Sequence, residues 1–117
     1  MNERVVLYLE DDRLCRETLQ MYLEDVTGYE VIACASIEEW EEYRADGPVD
    51  LGVIVKDHCM PADPQEALAR LREMHPGIPV LCHTGSADLK ETEHGYDGVF
   101  YKPEEMGELC DAVRDAI

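Results

Sequence analysis

A chain of 117 residues suits a single domain and can bury a core without disulfides or metals as staples. It carries 27 acidic against 10 basic side chains, a formal net charge of −17, which repels phosphate backbones and argues against direct nucleic-acid or anionic-membrane binding. Five widely spaced cysteines (Cys15, Cys34, Cys59, Cys82, Cys110) without a C-x-x-C pair or an apolar leader point to a reducing cytoplasm, and no stretch approaches the roughly 18 continuous apolar residues of a membrane span.

Taken in order, Arg4-Val5-Val6-Leu7-Tyr8-Leu9 is a nearly unbroken apolar run, read as a buried strand, with Glu10-Asp11-Asp12 at its end. Cys15, Leu19, Tyr22, Leu23 and Val26 then recur at helical spacing, Asp12 is placed to cap that helix and Gly28 to end it. Tyr29 to Ala33 predicts a short strand. Ser36-Ile37-Glu38-Glu39 has the form of a capping box and starts a helix carrying Trp40 and Tyr43, stopped by Gly47-Pro48. The segment from Val49 to Val55 is short, apolar and rich in β-branched residues, so it reads as a buried central strand, and Asp57 stands where it ends, before Pro61.

Asp63-Pro64-Gln65-Glu66 joins an N-cap to a proline at the first helical position, and the helix it starts faces Ala67, Leu71 and Met74 inward until His75-Pro76-Gly77. Ile78 to Cys82 predicts a fourth strand followed by His83-Thr84-Gly85-Ser86. Ala87 to Tyr96 offers little apolar face beyond Leu89, so any helix there is short and marginal. Gly98 to Tyr101 predicts a fifth strand, with Lys102-Pro103 at its end, and Met106, Leu109, Cys110, Val113 and Ile117 line a closing helix whose N-terminus Glu104 and Glu105 favour.

Strand and helix alternate five times, which predicts an α/β fold: a five-stranded parallel sheet, doubly wound, with right-handed crossovers and helices on both faces. Strand ends then share one edge, which gathers Glu10, Asp11, Asp12, Asp57, Thr84 and Lys102. A carboxylate at that edge stands where open α/β sheets bind ligands. Singly, each residue has a plainer reading: Glu10-Asp11-Asp12 as a solvated turn and cap, Thr84 as a strand-end hydroxyl, Lys102 as an exposed lysine. Gathered on one edge they read as a site, with Asp12 kept as a cap. Crowded carboxylates raise one another's pKa unless a cation sits among them, and Mg²⁺ prefers such hard oxygen ligands.

In this order, the acidic group Glu10-Asp11-Asp12, Asp57-His58-Cys59-Met60-Pro61, Thr84-Gly85 and Lys102-Pro103 make nearly the whole chain resemble the receiver domain of two-component response regulators. The resemblance implies a single flavodoxin-like (βα)5 domain over residues 1–117 with strand order 2-1-3-4-5, bringing Asp11 beside Asp57. It implies that Asp57 is the phosphoacceptor, that Asp11 and Asp57 bind Mg²⁺ directly, that Glu10 acts mainly through water, and that the backbone carbonyl of Cys59 is a further ligand. Lys102 would neutralise phosphoryl charge and Thr84 would donate a hydrogen bond to it. The Lys102-Pro103 bond matches a position where the family keeps a cis peptide.

The implied partners are a sensor histidine kinase or phosphotransfer protein and a downstream target or fused output domain, with a phosphorylation-linked dimer as one assembly. The chain would not be an enzyme beyond self-catalysed phosphorylation and dephosphorylation. Two departures from the family pattern bear on output: Val99 stands where an aromatic switch residue is usual, Tyr101 on the same strand face being the candidate to substitute for it, and the 18 positions from Thr84 to Lys102 are a few short. They support an alternative, a degenerate receiver that binds partners without phosphorylation. Two further rivals are a zinc or thiol site from His58, Cys59, Cys82 and His83, which the opposite facing of His83 and Thr84 disfavours, and an Asp-nucleophile phosphohydrolase, which would want an acid where Cys59 stands. The acid-rich composition, with only Lys56, Lys90 and Lys102 as lysines, also suits a high-salt cytoplasm.

Overall fold

The apolar runs become strands in the computed structural model, which describes residues 4–57, 63–85, 89, 95–102 and 104–117. These are β1 (Val5–Leu9), β2 (Val31–Cys34), β3 (Leu51–Lys56), β4 (Val80–Thr84) and β5 (Gly98–Tyr101). They form one sheet in the order 2-1-3-4-5, every neighbouring pair parallel. All residues of β1, β3 and β4 are buried, because helices cover both faces; this is why these strands read as continuous apolar runs rather than alternating ones.

The helices are α1 (Arg13–Thr27), α2 (Ile37–Ala45), α3 (Pro64–Met74) and α4 (Met106–Ala116). Strand alternation sorts the core into two layers. Leu7, Leu9, Ile54, Val80 and Cys82 pack against Trp40, Leu68 and Leu71 from α2 and α3, while Val6, Tyr8, Val53 and Val55 pack against Leu19 and Leu23 of α1 and Leu109 and Val113 of α4. The doubly wound flavodoxin-like architecture expected from the sequence is the one observed.

Helix starts follow the predicted caps. Asp12 Oδ1 accepts from the amides of Leu14 and Cys15 at 3.0 and 3.2 Å, Ser36 Oγ from Glu39 at 3.1 Å, and Asp63 Oδ1 from Gln65 and Glu66 at 3.1 and 3.2 Å. Gly28, at φ 78°, closes α1 in the left-handed region that favours glycine. Glu105, expected to act through the helix dipole, accepts the Tyr101 amide on its side chain at 3.0 Å and so joins β5 to α4.

Some boundaries shift. The fourth strand runs from Val80 through Thr84 rather than from Ile78 to Cys82; Pro79 has no N–H for the ladder, although its carbonyl accepts from Ile54 at 2.9 Å. The second strand begins at Val31 rather than Tyr29. The marginal helix predicted for Ala87 to Tyr96 falls mostly on positions outside the described residues, as do Cys59 and Pro103.

Candidate functional site

The sheet ladder runs directly into the candidate residues. The amide of Glu10 donates to the Cys34 carbonyl at 3.1 Å, that of Asp57 to Leu9 at 3.0 Å, and that of Lys102 to Thr84 at 2.8 Å. Each residue is thus fixed by a bond to the neighbouring strand at the carboxyl edge, where the order reverses around β1 and β3.

Glu10, Asp11 and Asp57 converge there, each offering one carboxylate oxygen within 4.8 Å of the others. Glu10 is buried and Asp11 exposed, while the Asp57 side chain retains 13% exposure. The Lys102 ammonium crosses the edge to Glu10 Oε1 at 2.6 Å and lies 4.0 Å from Asp57 Oδ1. Glu10, whose expected contact with Mg²⁺ is through water, is paired with the lysine. Burial alone raises the Glu10 pKa, but the hydrogen bond and charge of the Lys102 ammonium, with the Cys15 thiol beside it, more than offset this and hold it at about 2. Burial pulls Lys102 down, yet the Glu10 hydrogen bond and the Asp57 and Glu10 charges hold its ammonium above its ordinary range. Three carboxylates against one such ammonium leave an acidic, all-oxygen pocket, a donor set that fits a hard divalent cation.

Arg16, which no sequence signal marked, clamps the acidic turn by donating to the carbonyls of Glu10 and Asp11 at 2.9 and 3.3 Å. Asp12 serves as the cap of α1, as expected. Thr84 is fully buried at the end of β4. Cys15 lies 3.4 Å from Lys102 Nζ, and burial with the neighbouring Glu10 carboxylate pushes its thiol up.

His83 does face away from Thr84, but it is not remote from the site. It lines a cavity of ≈ 360 Å³ between α1 and α4 together with Cys15, Leu19, Lys102 and Met106. It is fully buried, and among the described residues neither ring nitrogen has a hydrogen-bond partner. Burial, with the Lys102 charge, lowers its pKa to about 4, so the ring is neutral at pH 7. Cys82 lies in the layer on the other side of the sheet. Among the described residues, Glu10, Asp11 and Asp57 are the one group that could hold a metal; the His58 and Cys59 of the zinc alternative, and the Cys59 carbonyl assigned to Mg²⁺, lie outside them.

Lys56 is the residue that sequence reading passed over. It is the last residue of β3 and fully buried, and its ammonium donates to the Asp57 carbonyl at 3.0 Å and to the Tyr96 hydroxyl at 3.3 Å. A lone lysine inside an otherwise apolar run was the available signal.

Comparison with known proteins matches residues 6–114 to the family model of the response regulator receiver domain. A response regulator receiver protein of Anaeromyxobacter sp. is 34% identical over 106 residues, 90% of this chain and 42% of that protein. The chain therefore spans less than half the length of this curated relative. The fold resembles a Vibrio cholerae chemotaxis protein, CheY4, with a TM-score of 0.81 at 22% identity over 99% of this chain and 100% of that one. It also resembles the Thermotoga maritima response regulator TrrA, solved in complex with Mg²⁺-BeF, with a TM-score of 0.80 at 20% identity over 97% of this chain and 99% of that one.

Proposed function

This chain belongs to the response regulator receiver domain family, and from that premise we propose that it accepts one phosphoryl group on the Asp57 carboxylate, given by a histidine kinase or phosphotransfer protein. The observation that carries this reading is the convergence of Glu10, Asp11 and Asp57 with Lys102 4.0 Å from the Asp57 carboxylate. In the step, an Asp57 oxygen attacks phosphorus, the P–N bond of the donor phosphohistidine breaks, and its electron pair returns to the donor imidazole. The product is an acyl phosphate on Asp57.

The chain's own residues position and neutralise. Glu10 and Asp11, with Asp57 and by family resemblance the Cys59 carbonyl, would hold Mg²⁺, which when bound supplies positive charge to the phosphoryl oxygens. Lys102 already stands between Glu10 and Asp57 and would transfer its pairing to a phosphoryl oxygen. The buried Thr84 hydroxyl would donate a hydrogen bond to another. The Mg²⁺-bound Thermotoga protein is consistent with this use of the acidic cluster. On this reading the chain is a phosphoacceptor rather than an enzyme with an external substrate, and its output goes to a downstream protein or a fused output domain. The four described cysteines are free thiols, consistent with a reducing cytoplasm.

Packing around Val99 favours a second reading. Val99 is buried in the core and Tyr101 packs against the same cluster, which leaves no aromatic at the usual switch position and supports a module that binds partners independently of phosphorylation. The deciding experiment is incubation with acetyl phosphate and Mg²⁺, read by intact mass and phosphate-affinity gel, for wild type and Asp57→Ala. One labile phosphoryl group in wild type, requiring Mg²⁺ and absent from the variant, is the expected result. No adduct in wild type would move the assignment to the interaction module.

A further inference from the structure

We propose that Lys56 is a positioning residue for the phosphoacceptor, an inference that rests on the reading of Asp57 above. A lysine with no solvent exposure requires partners for its charge. Lys56 meets the carbonyl of Asp57 itself at 3.0 Å, and on its far side the Tyr96 hydroxyl at 3.3 Å, with the ammonium 5.7 Å from that ring's centroid. The bond is charge-assisted and holds the Asp57 carbonyl in place.

Tyr96 is itself a firm anchor. It is buried within the core, and the residues on either side of it are pinned to α3 and β4. The Gly95 carbonyl accepts from Arg72 at 2.7 Å, the Asp97 carboxylate accepts from Arg72 at 3.2 Å and from the Val80 amide at 2.8 Å, and the Asp97 amide donates to Val80 at 2.9 Å. Gly95, at φ +80°, lies so close to α3 that a Cβ there would stand 3.1 Å from Leu68. Lys56 thus ties the Asp57 backbone to a segment held by two other elements. It reaches Asp57 from the layer opposite the one lined by Cys15 and His83.

The test compares Lys56→Met and Tyr96→Phe with wild type in two measurements: Mg²⁺ affinity by isothermal titration calorimetry, and the rate of adduct formation from acetyl phosphate at saturating Mg²⁺. Loss of a supporting residue behind metal ligands typically lowers affinity or activity by 10–100-fold, so Lys56→Met is expected to weaken Mg²⁺ binding about tenfold and slow the adduct about tenfold. Tyr96→Phe, which removes one anchor, is expected to lose about threefold in each. The sign separates positioning from plain electrostatics, because deleting a nearby positive charge would by itself tighten cation binding. A thermal midpoint at or above that of wild type excludes general unfolding, as removal of a buried charge permits; if Lys56→Met does not fold, Tyr96→Phe decides.

Mg²⁺ affinity that is unchanged or tighter in the variants, with adduct rates within twofold of wild type, would overturn the proposal. A wild type that binds Mg²⁺ without forming an adduct would refute the phosphoacceptor reading alone, and the Mg²⁺ comparison would still decide Lys56. A wild type that does neither would remove both.

Discussion

At the level of single residues, the pair between Lys102 and Glu10 is the strongest electrostatic feature of the site. Glu10 is nearly inaccessible and its partner only 22% exposed, so deleting the lysine strands a buried carboxylate. Lys102→Met is therefore expected to destabilise the fold by about 2 kcal/mol at neutral pH, less than for a fully buried pair because Lys102 keeps some contact with water. The pH dependence fixes the mechanism. Glu10 is held at about 2 against an ordinary 4.5, so its contribution is complete above 4.5 and is lost as pH falls toward 2. Lys102 is raised above 10.5, so its contribution is complete below that value and is lost as pH rises through the higher folded pKa. Denaturant unfolding of both proteins across pH should show the deficit of the variant shrinking at each extreme. A deficit constant from pH 7 to 3 would mean that lost packing, not charge, sets it.

Residue by residue, legibility followed position on strands. Asp57, Glu10, Asp11, Thr84 and Lys102 could be read because each terminates an apolar run, and parallel topology sends those ends to one edge. Lys56 was passed over because it closes a run of apolar residues whose hydrophobicity masks one polar member, and His83 was read only as a ligand of the zinc alternative because the cavity it lines is formed by helices far along the chain. Arg16 had no signal at all: its role is to reach two backbone carbonyls, and carbonyls carry no sequence identity.

At the level of elements, helix starts were legible because a cap is a local event, one side chain answering amides two or three residues on. Strand ends were less so, since the ladder is decided by a neighbour far along the chain, as the shift of β4 beyond Pro79 illustrates. The close passage of the end of α4 across β3 is equally non-local. A Cβ at Gly52 would stand 2.7 Å from Ile117 Cγ1 and 3.0 Å from Arg4 Cβ. Gly52→Ala should destabilise by about 1–3 kcal/mol through overpacking. Because the nearest obstacle is a side chain rather than backbone, Ile117→Ala should recover part of that loss, leaving the double variant more stable than the sum of the single effects predicts. Strict additivity in chemical denaturation would show that the clash is with Arg4 instead.

For the molecule as a whole, 27 acidic and 10 basic side chains set two salt effects against each other. Exposed pairs such as Arg13 with Glu17, and Arg70 shared between Glu38 and Glu41, bind α1 internally and α2 to α3; each contributes at most about 1 kcal/mol and weakens as salt screens it. General repulsion among the unpaired acids also weakens, and relieving it stabilises the compact state. The acids exceed the bases by 17 charges, so relief should exceed loss. Raising KCl from about 0.1 to 1 M shortens the screening length from about 10 to 3 Å. The thermal midpoint should accordingly rise by about 5 °C, which for a domain of this size corresponds to about 1 kcal/mol. The buried pair of Glu10 and Lys102 is shielded from this change, so Lys102→Met should show the same slope with salt as wild type. A falling midpoint would mean that the surface pairs outweigh the net charge. It would also remove the physical ground for reading the composition as an adaptation to a salt-rich interior.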